Sequence, residues 1–200
     1  MKMNYIISAS NAIFIGLLLL ITIIGVGIID TVDNKMIEIN DKNSVKQRYA
    51  INFRGSVHDR AISIRDVVLF SDKQDIQAAI QEIDRLEKFY AESADPLDSL
   101  LNNYASNNEL NVLSEIKRIE SSTLPLVEQI ISLVNNGDNA KAKEILLEQA
   151  SPLFSEWLGT INQFIDYQEA QNKAEIENVR NATSTFTEIM LTASGVASIL

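Results

Sequence analysis

Residues 12–29, AIFIGLLLLITIIGVGII, carry no charge and a single polar side chain, Thr22. As a helix, these eighteen residues span roughly 27 Å, close to the hydrocarbon thickness of a bilayer. A helix also satisfies every backbone polar group inside that segment, which lipid requires. The competing reading is a cleaved secretory signal, whose apolar core runs about 7–15 residues and ends at a small-x-small site. Here the run is longer and is followed by Asp30-Thr31-Val32-Asp33, with no such site. An uncleaved first transmembrane helix is expected. Lys2 and the α-amino group precede it, and Asp30 and Asp33 follow it before Lys35. The positive flank is normally cytoplasmic. Residues 1–11 are therefore expected inside and the bulk of the chain outside.

Past residue 30 there is almost no strand signal. Three prolines and seven glycines occur in 200 residues, and three of the glycines lie in the membrane run. Apolar residues instead recur every three or four positions, the helical period. Ser71 with Gln74, and Ser106 with Glu109, read as capping boxes opening a second and a third helix. Asn136-Gly137-Asp138 joins a C-terminal glycine to an N-cap aspartate, closing the third helix and opening the fourth. The expected helices are 31–70, 72–104, 107–136 and 138 to the end, with kinks or local breaks at Pro96, Pro125 and Pro152. Short connections make successive helices antiparallel. The expectation is an all-α, up-down-up-down four-helix bundle over 30–187 with flanking transmembrane helices. Residues 188–200 read as the start of a second membrane helix that continues beyond Leu200.

A net charge of −10 leaves no basic surface to displace counterions from a nucleic-acid backbone. There is no cysteine, which removes disulfide frameworks and thiolate metal sites. His58 is the lone histidine, so no transition-metal site or other cofactor is expected. No nucleophile–base arrangement or phosphate-cradling glycine loop is visible, and no enzymatic activity is expected.

The segment 45–70 carries the chemistry. At 100° per residue, Tyr49, Phe53, Val57, Ile64, Val67 and Val68 share one face, the bundle's own core. A second apolar line, Ile51, Ile62 and Leu69, falls elsewhere and suggests a partner, most simply the same helix of another copy; a wide core stripe is the competing reading. Arg54, His58 and Arg65 lie between the two lines, and Arg60 falls on the apolar face. Neither Arg54, Arg60 nor Arg65 has an acid three or four positions away, so none has a helix-local salt bridge. Each guanidinium needs a carboxylate from another helix, another copy or a ligand. In the fourth helix Glu156, Thr160, Gln163 and Tyr167 form a polar line. It is either solvated or turned toward the first helix, where Thr160 and Gln163 would be neutral ligand contacts.

The membrane run, the segment Phe53-Arg54-Gly55-Ser56-Val57-His58-Asp59-Arg60-Ala61-Ile62-Ser63-Ile64-Arg65-Asp66-Val67-Val68, the four-helix plan and the apolar end resemble the sensory half of bacterial methyl-accepting chemotaxis receptors. The resemblance covers essentially the whole chain. It implies a periplasmic homodimer in the inner membrane that binds a small molecule at the dimer interface. It also implies a following cytoplasmic part that contacts a histidine kinase and its coupling protein. Amino-acid receptors of this kind carry Arg-x4-Arg-x3-Arg on the first helix. This chain matches at Arg60 and Arg65 and departs at Leu69, so an organic acid is the expected ligand and an amino acid the second choice. The same sensory input also precedes histidine kinases and nucleotide cyclases. A purely structural membrane-anchored helical protein remains the third alternative.

Overall fold

The computed structural model describes residues 2–197, with side chains described for 11–196. Among them every regular element is helical. Helix α1 is Lys2–Ile37, and the backbone then widens to π-helical turns over Glu38–Asn43. Helices α2 (Ser44–Leu69), α3 (Lys73–Tyr104) and α4 (Asn107–Asn135) follow. The last arm comprises α5 (Asn139–Ile145), π-helical turns over Leu146–Ala150, and α6 (Ser151–Ala197).

The caps explain the boundaries. Ser106 accepts from the Glu109 amide while the Glu109 carboxylate accepts from the Ser106 backbone, so the expected box is closed in both directions. At the other break the cap is Asp72, not Ser71: its carboxylate accepts from the Gln74 amide at 2.7 Å. A carboxylate at this position also meets the positive end of the helix dipole, which a serine does not. Gly137 has φ +82°. Its amide donates to the Val134 carbonyl and that of Asp138 to Leu133, the paired bonds of a Schellman ending. Helices α3 and α4 run on through Pro96 and Pro125. The break expected at Pro152 takes another form. Pro152 gives the carbonyl four residues earlier no donor, and just before it the Ser151 amide reaches back five residues to Leu146, within the widened turns.

The chain forms two compact units. One is Lys42–Ala170. Its α2–α3 contacts run in reverse order: Lys46 reaches Tyr104, Asn52 reaches Ser93 and Ser56 reaches Leu86. Between α4 and α6, Glu109 meets Gln168 and Arg118 meets Glu156. The core is contributed by all four arms, including Phe53, Val57 and Ile64 of α2, Leu97 of α3, Ile130 of α4 and Trp157 of α6. Trp157 is wholly buried, which removes on the order of 200 Å² from water and contributes about 5 kcal/mol of transfer free energy.

The other unit comprises Met1–Asp41 with Gln171–Leu200. Here α1 is the one described helix long and apolar enough to cross a membrane, and its apolar window is almost wholly uncovered. Thr22 and Thr31 donate their hydroxyls to the carbonyls of Leu18 and Gly27 one turn back. Thr183, Thr187 and Thr192 do the same in α6. Lys35 pairs with Glu175 at 2.9 Å, and a Cβ on Gly25 would stand 3.4 Å from the Phe186 ring. Residues 198–200, part of the expected second membrane helix, lie outside the described residues.

Candidate functional site

Besides Ser56 and Ser63, helix α2 buries one line of larger or apolar residues, Lys46, Ala50, Phe53, Val57, Arg60, Ile64 and Val67. The steps alternate four and three, the seam of a coiled-coil-like bundle. Two of those positions hold cations. On the outward side Ile51 is 51% and Leu69 62% exposed, and Ile62 is half-buried. Arg54, His58 and Arg65 are exposed there as well. The Arg54 Nε donates to the Asn162 amide oxygen of α6 at 2.8 Å. His58 Nδ1 lies 3.1 Å from its neighbour Asp59. Arg65 has no carboxylate within ion-pair distance among the described residues. Of the α6 candidates, Gln163 is exposed. Thr160 is buried and donates to the Glu156 carbonyl of its own helix, so the polar line splits between surface and interior.

Arg60 is 2% exposed and points into the bundle. Its guanidinium carbon stands 5.1 Å from the Tyr90 ring centre and 5.0 Å from that of Trp157. Tyr90 in turn stacks on Phe53 at 4.3 Å and meets Trp157 edge-on. The Tyr90 hydroxyl donates to Glu120 of α4 at 3.2 Å. Each arm of the bundle thus contributes to this layer, α2 with both Phe53 and Arg60. Arg60 Nε and Nη2, the two donors of one guanidinium edge, have no acceptor. The Trp157 indole N–H also lacks one, and burial, with the neighbouring Glu120, pushes the Tyr90 hydroxyl well above its ordinary value. Burial lowers the Arg60 pKa, with Tyr90, Glu120 and Glu87 opposing. Burial raises the Glu120 carboxyl despite the Tyr90 bond and the nearby Arg60. Both charged groups are under-supported, since a buried charge wants a partner at contact distance.

A second polar layer is densely bonded, although the Gln168 amide oxygen within it lacks a donor. The Lys46 ammonium donates to Glu109 Oε1 at 2.7 Å and to the Tyr104 carbonyl at 2.8 Å. Gln168 of α6 donates to the same Oε1 at 2.7 Å. Glu109 Oε2 accepts from the Ser106 amide and hydroxyl. Burial pushes the Glu109 carboxyl up, but the bonds from Lys46, Ser106 and Gln168 outweigh it and hold the group below its ordinary value.

Sequence reasoning reached Arg54, His58, Arg60 and Arg65 but missed Lys46, Tyr90, Glu109, Glu120 and Gln168. The four–three count was the available signal. Extended back from Phe53 it lands on Lys46, and extended forward from Trp157 it lands on Gln168. Among the described residues no three His, Asp or Glu gather as a metal site. A cavity of about 410 Å³ at the α2–α3 and α4–α5 turns is lined by Phe70, Lys73, Gln77, Asn135 and Asn139 among others, and by none of the arginines.

The described residues thus form an all-helical bundle with polar layers bridging its arms, together with an apolar helix of membrane-spanning length. Residues 1–184 match the family described as four helix bundle sensory module for signal transduction, and the chain belongs to that family, the sensory modules of methyl-accepting chemotaxis proteins. A comparison with curated proteins finds no match.

Proposed function

We propose that the chain is the extracytoplasmic input half of a chemotaxis-type receptor in the bacterial inner membrane, without enzymatic activity of its own. Residues 12–29 cross the membrane with the amino terminus inside. The bundle, antiparallel and up-down-up-down, lies in the periplasm, and a second crossing begins near residue 188. Two copies meet through Ile51, Ile62 and Leu69 of α2. A small carboxylate, an organic acid before an amino acid, binds at that interface, and the signal passes to a cytoplasmic kinase and its coupling protein.

The observation that carries this reading is the outward face of α2. It pairs uncovered apolar side chains with three cationic or protonatable ones, and Arg65 there has no carboxylate within the described chain. A guanidinium's planar fork fits a carboxylate bidentately. The proposed contacts on that face are Arg54, His58 and Arg65, with Gln163 on the neighbouring arm. Arg60 and Thr160 are buried within one copy, so they join the ligand only through a rearrangement of the bundle.

The test is a thermal-shift screen of organic and amino acids on the full chain in lipid nanodiscs, since a ligand that binds the native state raises its melting temperature. Calorimetry then follows on Arg54→Ala and Arg65→Ala. Loss of a charge-assisted bond worth about 1.5–3 kcal/mol weakens binding roughly 10- to 150-fold. A ligand held equally well by parent and both variants would show that these arginines are structural.

A further inference from the structure

The Lys46–Glu109–Gln168 layer draws on residues near both chain ends of the bundle unit. The bundle unit begins at Lys42 and ends at Ala170. Lys46 follows the first of these ends by about one helical turn, and Gln168 precedes the second by less than a turn. Both donate to the same atom, Glu109 Oε1, at 2.7 Å. Glu109 is itself pinned at the α3–α4 turn, because Ser106 donates its amide and its hydroxyl to Oε2. All three side chains are almost wholly buried, Lys46 at 1%, Glu109 at 5% and Gln168 at 0% exposed. Water therefore cannot substitute for a broken bond without entering the bundle.

We propose that Glu109 is a clasp that sets the axial register of α2 against α6. This inference rests on the sensory reading, because α2 follows the proposed first membrane crossing along the chain and α6 leads into the second. The physical reasoning is that an apolar seam repeats and tolerates sliding, whereas a charged, directional layer is satisfied in one register only. Sliding α6 by even part of a turn removes Gln168 from Oε1. Sliding α2 leaves an ammonium buried without its carboxylate. Signal passage must therefore open one arm of the clasp, and the two arms open independently because Lys46, which also holds the Tyr104 carbonyl, and Gln168 meet through Glu109 and share no bond with one another.

The chain has no cysteine, so paired spin labels can be placed at exposed Arg48, Asn111 and Glu169 of α2, α4 and α6. The experiment is pulsed dipolar spectroscopy on the full chain in nanodiscs, diluted with unlabelled chain and without any ligand. Lys46→Met should shift or split the 48–111 distance and leave 111–169 unchanged. Gln168→Leu, which keeps the ion pair, should do the reverse, and Glu109→Leu should alter both. Circular dichroism checks that helicity is retained; if the charge variants fail to fold, Gln168→Leu alone decides. Distances that coincide with the parent while the melting temperature falls would make the layer a stability element only and overturn the clasp. A failed ligand screen would leave this result untouched, so the two readings fail separately.

Discussion

Helix α2 buries two cations, Lys46 at 1% and Arg60 at 2% exposure, and the same substitution by methionine should affect them very differently. Methionine keeps most of the side-chain volume, so the cavity contribution is small in both cases. Lys46→Met leaves the Glu109 carboxylate buried beside Gln168 and Ser106 without its countercharge. Removing one partner of a buried ion pair costs about 3–5 kcal/mol, a fall in melting temperature on the order of 10 °C for a chain of this size. Arg60→Met removes a desolvated charge whose Nε and Nη2 have no acceptor. It relieves a desolvation cost of several kcal/mol. It forfeits two ring contacts worth up to about 2 kcal/mol each when desolvated, and some attraction to Glu120 and Glu87. These terms nearly cancel, leaving a change within about 1 kcal/mol, a few °C at most. The assay is reversible thermal or urea unfolding of both variants at neutral pH, followed by circular dichroism. Equal losses in the two variants would refute the reasoning, because Arg60 would then have a partner in solution that its surroundings here do not supply.

Two further outcomes follow from the same layers. Glu109, held below its ordinary value, binds fewer protons folded than unfolded. Its contribution is present above about pH 4.3 and is lost as pH falls through the folded value. Glu120, raised by burial, binds more protons folded, so its contribution is greatest in acid and declines as pH rises from about 4.3 through the raised value. Urea midpoints across pH should therefore lose their acid-side fall in Glu109→Gln and their rise-of-pH decline in Glu120→Gln; unchanged profiles would contradict both assignments. For topology, single cysteines at Asp98 and Ser10 probed with an impermeant thiol reagent should label at 98 and not at 10 in intact spheroplasts, and the opposite pattern would reverse the orientation.

Much of the bundle was legible because helix ends are written in local chemistry. Ser106 with Glu109, and Gly137 with Asp138, fixed two of the three breaks within a residue or so. The third slipped from Ser71 to Asp72 because both residues are competent caps and only the backbone decides between them. Arg60 was legible as a misfit, since an arginine at a core angle stands out against Phe53 and Ile64. Lys46 was not, because it lies before the apolar run of its helix and a lysine near a membrane flank reads naturally as solvated. Glu109 was taken for a capping residue alone, yet its second oxygen serves Lys46 and Gln168. Thr160 was read with its surface neighbours, although its hydroxyl bonds back to the Glu156 carbonyl and the side chain packs inward. Such long-range pairing depends on which helices become neighbours, and periodicity within one helix does not carry it.

The central claim is that the uncovered face of α2 is where two copies meet and the sensor is built. In native membranes of this cysteine-free chain, Ile62→Cys and Leu69→Cys should form disulfide-linked dimers under mild oxidation. Ser63→Cys, at a position 8% exposed and turned into the bundle, and Gln129→Cys, exposed on α4, should remain monomeric. Equal cross-linking from all four positions, or dimers from Gln129→Cys alone, would contradict the account.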